Sequence, residues 1–582
     1  MTETKPEFGS DLMVDVIRSF GVPYISLNPG ASFRGLHDSL VNWQGGGPEI
    51  ICCQHEKIAI GVAHGYAKAT GKPMAVIVHD LVGLLQATMG IYYAFHDRVP
   101  MLVLGGSGPA DTAKRRPSID WYHSANVQGN LVRDYVKWDD EPRSIAATPE
   151  SLARGWSIAQ SGPQGPVYIS LDAELQESAI TEPVEIVDPQ TYAVPTPIGA
   201  DPNSLESLAE ALMAAARPMI VAGFAGRDPQ AFSLIPALAE TVAAGVIDTG
   251  ARLNLPNRHP LNLTGSDALS DADLVLLLDC KDGESAITSV DSTSRQVTSQ
   301  LPSNARVMSL GFSHTGIRGW SHDFGRLLPL DLDVTADTVS ALPQLVEACH
   351  AIARRDNTER ERQRSERRAL LATKHDTQWE GWQSEAQDVT DLSPVSTARL
   401  AKEVWDVVRD YDWVLTAGTS RGWAKKIWDF DEHYRHPGDS LGTATQIGIS
   451  LGVALAHKGT GRLVVDLQPD GDLMFDLGTL WVAAHYKIPM LVVMVNNRAY
   501  YNDWAHQEVI AVQRDRPVKN AYIGMEISGP DPDFSSIARA QGWWAEGPID
   551  DPEKISEAIR TAAKIVSSTG QPALVDIVTQ LS

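Results

Sequence analysis

The sequence predicts an α/β protein built from three doubly wound, mostly parallel sheets. Three observations carry that expectation. A chain of 582 residues exceeds what one hydrophobic core supports, and three domains is the natural division. Hydrophobic residues make up 43% and charged residues 21%, the composition of an ordinary packed interior. Short apolar, β-branched runs alternate with longer amphipathic segments, the pattern of parallel strands covered by helices on both faces.

A first block, 1–185, carries strand candidates at Tyr24–Leu27, Ala75–Val78, Met101–Leu104 and Val167–Ser170. The stretch from Pro183 to Pro197 is rich in Pro, Thr and Val and reads as a linker. A second block, 198–350, carries Met219–Ala222, Leu274–Leu278 and Arg306–Ser309. The run from Arg354 to Arg364 is basic but interrupted by acids, so 351–389 is expected to be a solvated helical connector rather than a nucleic-acid patch. A third block, 390–582, carries Trp413–Thr416, Leu463–Leu467, Leu491–Val495 and Ala573–Val578. Ligands of such sheets bind outside the carboxyl ends of the strands.

Bulk properties narrow the function classes. A net charge of −24 argues against a nucleic-acid partner, whose phosphates need concentrated Lys and Arg. Cys52, Cys53, Cys280 and Cys349 have no metal or redox spacing and read as reduced thiols. No apolar stretch approaches membrane-spanning length, and the first residues do not form a signal peptide. The expectation is a soluble cytoplasmic protein with a small-molecule substrate, no nucleic acid and no membrane.

Two segments carry chemistry. Asp470 begins an acidic turn after one predicted strand, and Asn497 ends an Asn-Asn pair after the next, 27 residues later. A hard cation such as Mg²⁺ takes oxygen ligands like these and shares them with phosphate. Read alone, both are also common turn chemistry. The pair resembles the metal-diphosphate signature of thiamine-diphosphate enzymes, with Pro469 in place of the usual Gly. That resemblance implies metal ligands Asp470, Asn497 and the Ala499 carbonyl. Gly471 and Asp472 would lie at the diphosphate, where a carboxylate needs the metal to offset repulsion. Thr419 and Ser420, in a Gly-Thr-Ser turn after a strand, are further cofactor contacts. Leu441 or Ile447 would support the bent cofactor, because Thr443 and Ala444 are small. Tyr500, with Tyr501 and Trp504, would line or cover the pocket.

The second segment runs from His55 through Glu56 to Pro73 and resembles the catalytic-Glu segment of the acetolactate synthase and benzoylformate decarboxylase branch. Glu56 would hydrogen-bond the aminopyrimidine and help generate the cofactor's nucleophile. Without the resemblance, a Glu there is a helix N-terminal charge. His79, 23 residues on, stands where the decarboxylases keep a catalytic His. His123 falls where the synthases keep a Gln, and Gln86 would sit behind the pyrimidine. Asn28-Pro29-Gly30-Ala31-Ser32 resembles the decarboxylase opening loop with its Ser one residue late. The decarboxylases' second His, from the central block, has no counterpart near Leu278–Asp282.

Together the resemblances imply a thiamine-diphosphate- and Mg²⁺-dependent lyase or carboligase, decarboxylating a 2-oxo acid through an enamine. A 2-hydroxyacyl-CoA lyase or acetolactate-synthase-like carboligase is the alternative, and an inactive structural or regulatory homologue the non-enzyme one. Whether FAD or ADP binds the central block stays open. The family pattern further implies a homodimer or homotetramer with sites shared between subunits.

Overall fold

Each predicted apolar run forms a strand, and the strands gather into three parallel sheets. The computed structural model describes residues 5–117, 119–184, 193–291, 293–312, 327–416, 422–440 and 444–581. The first sheet holds β1 (Tyr24–Leu27), β2 (Glu49–Cys52), β3 (Met74–Val78), β4 (Met101–Ser107), β5 (Asp139–Asp140) and β6 (Pro166–Asp172), in the order β2-β1-β3-β4-β6-β5. The second is built from β7 (Pro218–Ala222), β8 (Gly245–Asp248), β9 (Leu274–Leu278), β12 (Arg306–Gly311) and β13 (Leu332–Thr335), ordered β13-β12-β9-β7-β8. An antiparallel pair, β10 (Thr288–Val290) and β11 (Val297–Ser299), stands beside it. The third contains β14 (Trp413–Leu415), β15 (Leu463–Pro469), β16 (Leu491–Asn496), β17 (Trp544–Ile549) and β18 (Ala573–Val578), ordered β14-β15-β16-β18-β17. The charged connector is a helix of 31 residues, Thr358–Asp388.

The first and third sheets share one core. Helix Glu56–Thr70 follows β2, capped by the His55 ring, which accepts the Lys57 N–H at 3.0 Å, and closed by Gly71 at φ +69°. It packs on helix Gln446–Ala456, and Ile58, Val62, Leu451 and Val453 are buried in a common apolar cluster. Glycines make the approach close. A Cβ at Gly65 would lie 1.9 Å from the Ile449 carbonyl oxygen, and one at Gly452 would lie 2.1 Å from that of Val62. This contact sets the heads of the two helices, and therefore Glu56, relative to the third sheet.

Candidate active site

The metal half forms because β15 and β16 are parallel neighbours, with Pro469 opposite Val495. Asp470 and Asn497 therefore leave the same sheet edge. Asp470 is 2% exposed and begins the short helix Asp470–Phe475. Its Oδ1 accepts the Gly471 N–H at 2.7 Å, and its Oδ2 accepts the Arg498 N–H at 2.6 Å. Asn497 Oδ1 accepts the Ala499 N–H at 3.0 Å, closing a turn in which Arg498 takes φ +56°. Burial pushes the Asp470 carboxyl up to about 6, against the pull of these amides. Backbone donors occupy only part of a carboxylate's four lone-pair sites. A buried carboxylate, an amide oxygen and a nearby carbonyl are an oxygen donor set that suits Mg²⁺.

Around this half, the expected cofactor contacts divide. Gly471 lets the Tyr500 ring approach, since a Cβ there would meet it at 2.6 Å. Tyr500 is 38% exposed. Asp472 serves the chain's own backbone: its carboxylate accepts the Ala444 N–H and, at 3.1 Å, the Gln446 N–H. It thereby sits at the head of helix Gln446–Ala456, where a helix dipole favours an anion. Burial still pushes the Asp472 carboxyl up to about 6, against the pull of those amides. Ile447 is 1% exposed and packs in the shared core. Thr419, Ser420, Leu441 and Thr443 lie outside the described residues.

The other half centres on Glu56. It is 6% exposed, yet among the described residues its carboxylate has no hydrogen-bond donor and no ion pair. Its carboxylate is therefore free to pair with a ligand group. Its neighbours are glycine-spaced: a Cβ on Gly83 would lie 2.9 Å from Glu56 Oε1 and 2.7 Å from His79 Cβ. Gly30 is equally tight, 2.8 Å from His79 Cγ by the same measure.

His79, at the end of β3, meets His123 with ring centroids 5.1 Å apart and planes at 78°. The two histidines suggested by separate stretches of sequence are thus brought together. Burial lowers His79 to about 4, with the charges of His123 and Arg116 adding to the effect, so the ring is neutral near pH 7. Its Nδ1 lies 2.7 Å from Ser32 Oγ, and that same oxygen accepts the Asp80 N–H at 3.1 Å. The late Ser of the opening loop therefore reaches the histidine after all. Gln86 is exposed on helix Leu81–His96, beside exposed Leu85 and Met89. Among the described residues, no hydrogen bond or ion pair joins Glu56 to Asp470, Asn497 or Ala499.

Residues 8–130 match the thiamine pyrophosphate enzyme N-terminal TPP binding domain, and residues 416–577 match its C-terminal TPP binding domain. The chain belongs to the thiamine-diphosphate-dependent enzymes. A glyoxylate carboligase of Escherichia coli is 25% identical over 590 residues, covering 97% of this chain and 90% of the relative. The acetolactate synthase large subunit of Haemophilus influenzae is 24% identical over 511 residues, covering 84% and 82%. In fold, the chain is similar to a benzoylformate decarboxylase from Polynucleobacter necessarius, with a TM-score of 0.76, 18% identity and 99% of each chain covered. A thiamine diphosphate-dependent 4-hydroxybenzoylformate decarboxylase from Rhodococcus jostii gives 0.76 at 19% identity, again over 99% of each. No described helix of this thiamine-diphosphate enzyme is long and apolar enough to cross a membrane.

Sequence reasoning passed over Asp80, Arg116 and Ser124, which surround the histidine pair. The one available signal was the carboxylate directly after His79 at a strand end.

Proposed function

We propose that this chain is a Mg²⁺-dependent enzyme that breaks a C–C bond next to a carbonyl, decarboxylating a 2-oxo acid. The observation that carries the reading is Glu56: buried, unpartnered among the described residues, and adjacent to the neutral His79. When bound, thiamine diphosphate supplies an electron sink for the pair left by the departing carboxylate. Glu56 would hold the aminopyrimidine ring by a hydrogen bond, and Asp470, Asn497 and the Ala499 carbonyl would hold the cation. Neutral His79, with His123 beside it, can take up or deliver a proton at the reacting carbon. The exposed side chains of Leu85, Gln86 and Met89 near one half, and of Met474, Phe475 and Tyr500 near the other, support completion of each half by a second chain.

The test is a panel of 2-oxo acids, assayed for CO₂ and aldehyde with thiamine diphosphate and Mg²⁺ present. Glu56→Gln should lower cofactor-dependent turnover by about a hundredfold or more. Unchanged turnover in that variant would remove Glu56 from the reaction. A carboligase is the second reading, favoured by the glyoxylate carboligase that aligns over 97% of the chain. In that case CO₂ release is accompanied by a hydroxyketone, and free aldehyde is minor.

A further inference from the structure

Asp80 lies directly behind the histidine pair, and nothing above gives it a role. It is 2% exposed, and its Oδ1 sits 3.3 Å from His79 Nδ1 with no hydrogen-bond partner of its own. The Ser124 hydroxyl accepts the Gly108 N–H at 2.9 Å and stands beside the Asp80 carboxyl, pulling its pKa down. His79 Nδ1 thus faces two groups at once, the Asp80 carboxyl and the Ser32 hydroxyl. One ring nitrogen cannot answer both with the same proton.

The geometry points to Asp80 as a positioning residue that sets the tautomer of His79. When Asp80 is ionised, the imidazole proton is held on Nδ1 beside the carboxylate, and Ser32 Oγ accepts it. Nε2, on the opposite edge of the ring, is then an acceptor. When Asp80 is protonated, the carboxylate that held the proton on Nδ1 is gone, the Ser32 hydroxyl donates to Nδ1, and the imidazole proton moves to Nε2. The same ring edge then becomes a donor. Such a device lets one neutral histidine accept a proton in one state and give it in the other.

Burial and the Asp120 carboxylate push Asp80 up to about 7, while Ser124 and Arg116 pull it down. Its ionisation therefore falls in the working range. The other groups facing the pair are His123 from the short helix Asp120–His123, Glu56 across Gly83, and Tyr168 from β6. A metal site is the weaker use of the cluster. The ligating atoms of His79, Asp80 and His123 lie within 4.8 Å of one another, but His79 Nδ1 already faces the Ser32 hydroxyl at 2.7 Å.

The kinetic part of this inference rests on the proposed decarboxylation, so the deciding measurement is made without turnover. In cofactor-free protein carrying ¹⁵N-histidine, His79 is assigned by the signal missing from His79→Ala. Long-range ¹H–¹⁵N correlations then read its tautomer from pH 5.5 to 8.5, choices that bracket the Asp80 ionisation at about 7. Expected are the Nε2–H form at the acid end, the Nδ1–H form at the alkaline end, and a single form throughout in Asp80→Asn. With turnover, Asp80→Asn should lower kcat about ten- to a hundredfold, leave KM within about twofold, and remove the inflection near pH 7. Asp80→Glu should restore part of that inflection. A native His79 that keeps one tautomer across the range, or an Asp80→Asn protein that switches like the native one, overturns the inference. Failure of every 2-oxo acid to react would instead overturn the proposed function and leave the tautomer result standing.

Discussion

At the scale of single residues, the candidate site uses burial to make groups costly until a ligand arrives. Asp470 is the plainest case, because the backbone amides around it do not offset its desolvation and its carboxyl remains raised. A bound cation would supply what the amides do not. Chelation followed by dialysis should therefore abolish turnover, and added Mg²⁺ should restore it. Asp470→Ala should raise the Mg²⁺ concentration needed for half-maximal rate by at least about ten- to a hundredfold. Titration of activity with Mg²⁺ checks this, and an unshifted curve would place the cation elsewhere. Asp470 and Asn497 were legible in sequence because each follows a strongly apolar strand, and parallel register carries both to one edge. Ser32 meeting His79, and Asp80 beside them, was not. That contact joins a loop after β1 to one after β3, and no local period records it.

At the scale of elements, the contact between helices Glu56–Thr70 and Gln446–Ala456 decides where Glu56 sits. Gly61 and Gly65 on one helix oppose Gly448, Ile449 and Gly452 on the other. Close-packed interiors have no slack for an added methyl at 1.9 Å from a backbone oxygen. Gly65→Ala must push the helices apart. The expected cost is about 1–3 kcal/mol or more, read as a lower denaturation midpoint, with a fall in turnover because Glu56 moves too. Gly71→Ala, at φ +69° with open space around it, separates the effects: it should cost stability through backbone strain and leave the interhelical contact intact. The strands themselves were readable wherever β-branched runs are buried throughout, as in β3, β9 and β16. Most edge strands were not, β14 being an exception. β17 carries Gly547-Pro548 and alternates poorly, and β13 is half exposed, so neither has the apolar run that marks a central strand.

At the scale of the whole molecule, one buried carboxylate ties the three sheet units together. Asp97, after helix Leu81–His96, takes Lys68 Nζ, His64 Nε2 and the Ser440 hydroxyl on its Oδ2, each at 2.8 Å. Its backbone oxygen accepts Arg252 from the central unit at 2.7 Å. Burial alone would raise this carboxyl, yet Lys68, His64 and Arg252 together hold it well below the usual carboxylate range. Burial keeps the His64 ring neutral, so that contact is a hydrogen bond rather than an ion pair. The sign follows from the lowered value. A carboxyl more acidic in the folded than in the unfolded chain contributes stability that is fully present above about pH 4 and lost as pH falls through the folded value. Removing the charge leaves Lys68 buried against a neutral group, so Asp97→Asn should cost about 3–5 kcal/mol at pH 7. The gap between native and variant should narrow steadily below about pH 4, as the unfolded chain takes up a proton at this carboxyl that the folded chain still excludes. Denaturation midpoints at pH 7 and pH 3.5 measure both, and a gap that stays constant would show that packing, not charge, is what Asp97 contributes. Ser440 immediately precedes Leu441, one of the two residues expected to support the cofactor. The variant should therefore also bind thiamine diphosphate more weakly, even at temperatures where it remains folded.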